Sequence, residues 1–223
     1  MANPPPPAPK KKGLGCCGCG CLILALIVLL VFGLFGGLCY VGYSGVMKIT
    51  EAAPAAVPTF DGGDDVYNRA QQKMQGFNHD VQNHLAATIH LTADELNTLI
   101  ARNPDFANNK ILVFVTFTDD QARVQSSFPT DLLPVGSLVK GRYLNADYTF
   151  NLNFAPDTKT ISLDLKDIKL GPTEISEEKL PSIQKIIDFS LNYSLQKNPA
   201  AKDFLDHTTA MEIKNSELVI ETK

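Results

Sequence analysis

Cysteine is missing from everything after Cys39, and charge is missing from everything between Lys12 and Lys48. The first absence excludes disulfides from the C-terminal part of the chain, so whatever folds there is held by its own core. The second leaves an apolar run from Cys21 to about Tyr43. At ~1.5 Å of rise per residue, a helix of that length covers the ~30 Å hydrocarbon core of a bilayer. A third absence gives the run a direction. No acidic residue precedes Glu51, while Lys10, Lys11 and Lys12 stand just before the run. That bias predicts a single-pass anchor in the cell membrane, with a cytoplasmic N-terminus and an extracytoplasmic remainder.

A cleaved signal peptide is the rival reading, since a lysine-rich start and an apolar run describe both. The run exceeds the ~7–15 residues of a signal-peptide core, and the small residues Ala53–Ala56 that would suit cleavage fall well past its end. Gly33 and Gly37 form a G-x-x-x-G pair of the kind that lets membrane helices approach closely. All five cysteines, Cys16, Cys17, Cys19, Cys21 and Cys39, belong to this segment. With no histidine or carboxylate near Cys16-x-x-Cys19, they read as a compact, reduced lead-in to the helix, a lipidated cysteine being the alternative. The chain then divides into a Pro/Lys cytoplasmic tail (1–15), an anchor (16–47), a Pro/Ala tether (48–63) and one extracytoplasmic domain (64–223). All 24 acidic residues lie after Lys48, which sets the domain's surface as a whole against nucleic acid and anionic headgroups.

Within the domain, Val66, Ala70, Met74, Phe77, Val81 and Leu85 recur at helical spacing. A second helix opens with Thr92 as cap, Glu95 completing a capping box, and Leu91 with Leu96 as a hydrophobic staple; Asn103-Pro104 ends it. Strands follow at Ile111–Thr118 and Ala122–Phe128, turned at Asp119-Asp120. The clearest strand is Leu144–Phe154, whose even positions are apolar and whose odd positions are polar, giving one dry and one wet face. Its partner, Thr160–Leu170, changes parity between Leu165 and Ile168, so a bulge at Lys166-Asp167 is expected there. After Pro181 a helix carries Ile183, Ile186, Ile187, Leu191 and Leu195 on one side, and a hairpin around Asn215-Ser216 closes the chain. The predicted fold class is α+β: a transmembrane helix, then a curved antiparallel sheet packed on long helices.

Motifs for chemistry are scarce. His79 and His84 stand five apart, on different faces of a helix, which disfavours a metal site; His90 and His207 are isolated. Ser182-x-x-Lys185 and Ser137-x-x-Lys140 match a serine-nucleophile motif, but without its S-D-N and K-T-G partners. Asp119-Asp120 suits a turn, and Asp164 with Asp167 suits a solvent face. Asn192-Tyr-Ser194 is a sequon in a helical setting. No G-x-S-x-G, phosphate loop or dinucleotide fingerprint occurs, so the expectation is a non-enzymatic chain with no cofactor and no metal.

The stretches Leu91-Thr-Ala-Asp-Glu-Leu-Asn97 and Leu165-Lys-Asp-Ile-Lys-Leu-Gly171 resemble those of a loose family of anchored extracytoplasmic bacterial proteins. Some of its members are similar to tubular lipid-binding (TULIP-like) domains, in which a curved sheet wraps a long helix around an apolar groove. The resemblance implies no catalytic residues. The Pro-rich start and the Cys-Gly cluster fall outside it. With the alternation of Leu144–Phe154, it leads to the expectation of a groove for a lipid or other apolar ligand. Leu144, Tyr148, Phe150, Leu152, Ile161, Leu163, Ile187 and Leu191 would line it, and the helix from Pro181 to Leu195 would be its lid. For any single residue of this face, plain core packed against the helices is the simpler reading. The alternative function is a structural or assembly subunit that presents the domain to a protein partner in the envelope.

Overall fold

In the computed structural model the described residues are 43–132 and 139–223, so the Pro/Lys tail and nearly all of the predicted anchor lie outside them. Among the described residues no helix is long and apolar enough to cross a membrane. The chain enters through α1 (Tyr43–Ile49) and β1 (Thr50–Glu51), followed by α2 (Gly63–Gln82), β2 (Ala87–Thr92), α3 (Ala93–Ala101) and α4 (Pro104–Asn108). Four strands come next: β3 (Leu112–Thr118), β4 (Gln121–Pro129), β5 (Tyr143–Ala155) and β6 (Thr160–Leu170). Then come β7 (Thr173–Glu174), α5 (Leu180–Lys197), α6 (Pro199–His207), β8 (Thr208–Lys214) and β9 (Glu217–Thr222).

The strands form two antiparallel sheets. The larger has six strands in the order β3-β4-β5-β6-β7, with β1 added to β5; the smaller has three in the order β2-β9-β8. β5 is the centre of the first because its alternation is the longest in the chain. The expected bulge is present: Thr149 faces Asp167 and Phe150 faces Leu165, which leaves Lys166 unpaired. That extra residue returns Ile168 and Leu170 to the dry face and bends the strand. The dry face is covered by α3 over β3, β8 over β5 and α5 along β6, and one apolar cluster fills the space between the layers.

Several local expectations need correction. Helix α2 stops at Gln82, so Leu85 lies beyond it and is exposed. Strand β2 was not foreseen, because only Ile89 and Leu91 carry its alternation and Leu91 reads equally well as a staple residue. On α5, Ile186 faces outward rather than toward the core with Ile187, Leu191 and Leu195. The segment 48–63 is not a free tether either. Thr50 and Glu51 pair with Leu144 and Tyr143, and Ala55 N–H donates to Asn145 Oδ1 at 3.0 Å. Farther along, Gly62 N–H donates to Thr98 Oγ1 at 3.0 Å.

Candidate functional site

All eight predicted groove residues are brought together, and all are packed. Leu144, Tyr148, Phe150, Leu152, Ile161, Leu163, Ile187 and Leu191 are each at most 6% exposed and belong to the one core cluster. The register explains their contact: Phe150 lies opposite Leu165, Leu152 opposite Leu163 and Phe154 opposite Ile161. The Tyr148 and Phe150 rings stack at 5.8 Å. Among the described residues, two hydroxyls on this dry face have no partner. Tyr148 pairs with Val124 and Ser126 with Ala146, so they stand diagonally across β4 and β5, both buried and unsatisfied. Burial holds the Tyr148 hydroxyl far above the usual phenol range, so it stays protonated.

The first motif is consumed by the fold. Thr92 and Glu95 close the capping box, Thr92 Oγ1 accepting from Glu95 N–H at 3.2 Å and Glu95 Oε2 from Thr92 N–H at 3.0 Å. The Glu95 carboxylate is buried, which alone would raise its pKa. Lys73 at 2.8 Å, the Thr92 N–H and Arg69 at 3.2 Å outweigh that and hold it below the usual carboxylate range. Asn97 has a different task. Its Nδ2 donates to Val115 O at 2.7 Å and its Oδ1 accepts from Val115 N–H at 2.8 Å. The carboxamide thus stands in for a neighbouring strand on β3, which is the edge of the large sheet.

The opposite edge is closed the same way. Beyond Lys169 and Leu170, β6 has no strand on its outer side among the described residues. There Asn192 Nδ2 donates to Ile161 O at 2.7 Å, Asn192 Oδ1 accepts from Ile161 N–H at 2.8 Å, and Asp188 accepts from Leu163 N–H at 3.1 Å. Burial pushes the Asp188 pKa up against that hydrogen bond. The sequon asparagine is therefore fully engaged, since its amide also donates to Asp188 O at 2.7 Å. With its inner side committed, α5 turns Phe189 and Tyr193 outward at 71% and 57% exposure, their rings stacked at 6.0 Å. Lys197 Nζ sits 5.5 Å from the Tyr193 ring centre. Sequence reading missed this face. The signal was the i, i+4 spacing of two aromatics on the side opposite Ile187, Leu191 and Leu195.

The second motif ends where the chain enters the domain. Gly171 has φ +55°, and a Cβ there would stand 2.8 Å from Ile49 O, so glycine lets the incoming chain pass against the strand end. Arg142 grips the same segment, its Nε donating to Thr50 Oγ1 at 2.8 Å and its Nη2 to Thr50 O. Asn145 holds Glu51 and, at 3.2 Å, Ala53 O. On the wet face beside this strap lies a cleft of about 310 Å³ lined by Glu51, Ala55, Gln125, Asn145, Asp147 and Lys169. Arg123, bonded at 2.9 and 2.6 Å, holds the Asp147 carboxyl below its usual range, which suits a fixed ion pair and not general-acid work.

The remaining candidates are dispersed. Ser182 and Lys185 are both exposed on α5, and Ser137 lies outside the described residues. His79 contacts Asp80, and His90 contacts Glu217. His84 and His207 come within 5.7 Å ring to ring, a pairing the sequence does not signal. No group of three or more metal-ligating side chains occurs among the described residues. No protein-family model, curated protein or solved structure matches the chain, so no residue role is carried over from a relative.

Proposed function

We propose that this chain is a membrane-anchored, extracytoplasmic and non-enzymatic structural or assembly subunit that holds its domain in a fixed pose at the bilayer for a protein partner of the envelope. The observation that carries this reading is the fastening of residues 47–55, which come a few positions after the apolar run, to β5 and to Arg142. A ligand-gathering domain gains from a loose leash. A subunit that must present a surface in register gains from a stiff junction, because ordering it beforehand lowers the entropy cost of docking. In-cell photo-crosslinking of the full chain, with mass spectrometry of the adducts, tests the reading. One stoichiometric partner is expected, and a diffuse set of adducts would count against it.

The second reading keeps the lipid or other apolar ligand, within the sheet-and-helix layer. The unpartnered hydroxyls of Tyr148 and Ser126 favour it, since the polar head of a ligand admitted by an opening of the packed layer would satisfy both. Native mass spectrometry of the full chain decides between the two: a co-purified lipid lost in Tyr148→Phe supports the groove, and a ligand-free chain removes it.

A further inference from the structure

Of the exposed large apolar side chains, Ile186, Phe189 and Tyr193 share one face of α5, whereas Met47, Leu85 and Leu132 are scattered. We propose that this face of α5 lies on the bilayer surface, with Phe189 and Tyr193 seated at headgroup level and Lys185 and Lys197 reaching lipid phosphates. The inference rests on the anchored reading above and adds an orientation to it.

Charge favours lipid over a protein as the occupant. The domain as a whole is acidic, and the turn before α5 carries Glu177, Glu178 and Lys179, yet within α5 itself the charged residues are Lys185, Lys197 and a single carboxylate, Asp188. That carboxylate is turned inward, where it accepts the Leu163 N–H. The outward face is therefore basic and aromatic, the composition of helices that lie in a membrane interface, where long lysine stems extend to the phosphates. Tyr and Phe on such a face place an apolar body at the boundary, and Lys197 beside the Tyr193 ring adds a cation at the same level.

Placement favours it as well. Thr173 of β7 donates to Lys48 O at 3.4 Å, so the chain passes the anchor's exit just before α5 begins. From there α5 runs back along β6, with Asp188 at Leu163 and Asn192 at Ile161. Its 18 residues, roughly 27 Å of helix, set out from the corner at which the apolar run delivers the domain to the membrane. Because that corner is held by Arg142, the start of the helix stays close to the point where the apolar run ends.

The chain contains no tryptophan, so a single introduced one reports its own surroundings. Phe189→Trp and Tyr193→Trp full-length chains, reconstituted into vesicles with anionic and brominated lipids, should show blue-shifted emission and roughly twofold quenching by the bromine atoms. Asn153→Trp, on the exposed wet face of β5, should show neither. Adding Lys185→Glu and Lys197→Glu should halve the quenching, and so should replacing anionic with zwitterionic lipid. Solvent-like emission without quenching, in chains that stay with the vesicles through an alkaline wash, overturns this inference and leaves the anchor standing. Burial seen only in native membranes, without quenching by brominated lipid, also overturns it and gives the face to a protein. Chains released by the wash overturn the anchored reading and this inference together.

Discussion

Helices α3 and α5 seal opposite edges of one sheet with the same side chain, an asparagine carboxamide on the N–H and C=O of an edge strand. Their other surfaces differ. On α3, residues Glu95 to Ile100 are all buried, with Glu95 and Thr98 also bonded to neighbouring segments. On α5 the buried residues are Leu180 at its start and the stripe Ile187, Leu191 and Leu195, and two aromatics are left in the open. A helix whose every side is occupied is a structural part. A helix with a spare aromatic and basic side has room for another surface. The comparison teaches that the motif-bearing helix serves the fold, while the plainer helix is the one available for contacts.

Breaking the two seals should show the difference most clearly. Asn97→Ala leaves a buried N–H and C=O of Val115 unpaired and should cost about 3 kcal/mol, whereas Asn192→Ala, at a half-buried edge, should cost about 1–2 kcal/mol. Denaturant unfolding of the two full-length variants measures this, and the reverse order would remove the asymmetry. Gly171→Ala comes next. It combines a positive φ with a close approach to Ile49 O and should lower stability by about 1–3 kcal/mol, with faster proteolysis between residues 47 and 57.

Glu95→Gln sharpens the account of α3. The Glu95 pKa is depressed in the folded chain, so its stabilisation is present above the unfolded value and lost as pH falls through the folded one. The variant should be less stable than the parent by about 1–2 kcal/mol near neutral pH, and the gap should close as the pH falls below the usual carboxylate range. A gap independent of pH would mean that packing, not charge, fixes the helix start. The smallest effect belongs to α5: Phe189→Ser and Tyr193→Ser should shift stability by less than about 0.5 kcal/mol, since both side chains are mostly exposed. A larger loss would place them in the core after all.

Much of this architecture was legible because single-strand and single-helix signals are local. The alternation of Leu144–Phe154, the parity change after Leu165 and the capping box at Thr92 each depend on residues within a few positions. What escaped reading depends on distant partners. Asn97 looks like any polar helix residue until Val115 is placed beside it, and Asn192 looks like a sequon until Ile161 is. The Pro/Ala composition of 48–63 reads as a leash, because the residues that hold it, Arg142 and Asn145, lie about ninety positions away. Even the dry face was ambiguous in kind, since a lined groove and a filled core share one pattern of alternation.

The fastening of residues 50–62 to the domain is the claim on which the rest depends, and amide hydrogen exchange of the full chain in bilayer nanodiscs tests it most directly. The Ala55 and Gly62 amides, held by Asn145 and Thr98, should exchange at least about tenfold more slowly than in an unstructured linker. Exchange of both at the rate of a free chain would contradict the account and return the segment to a loose leash.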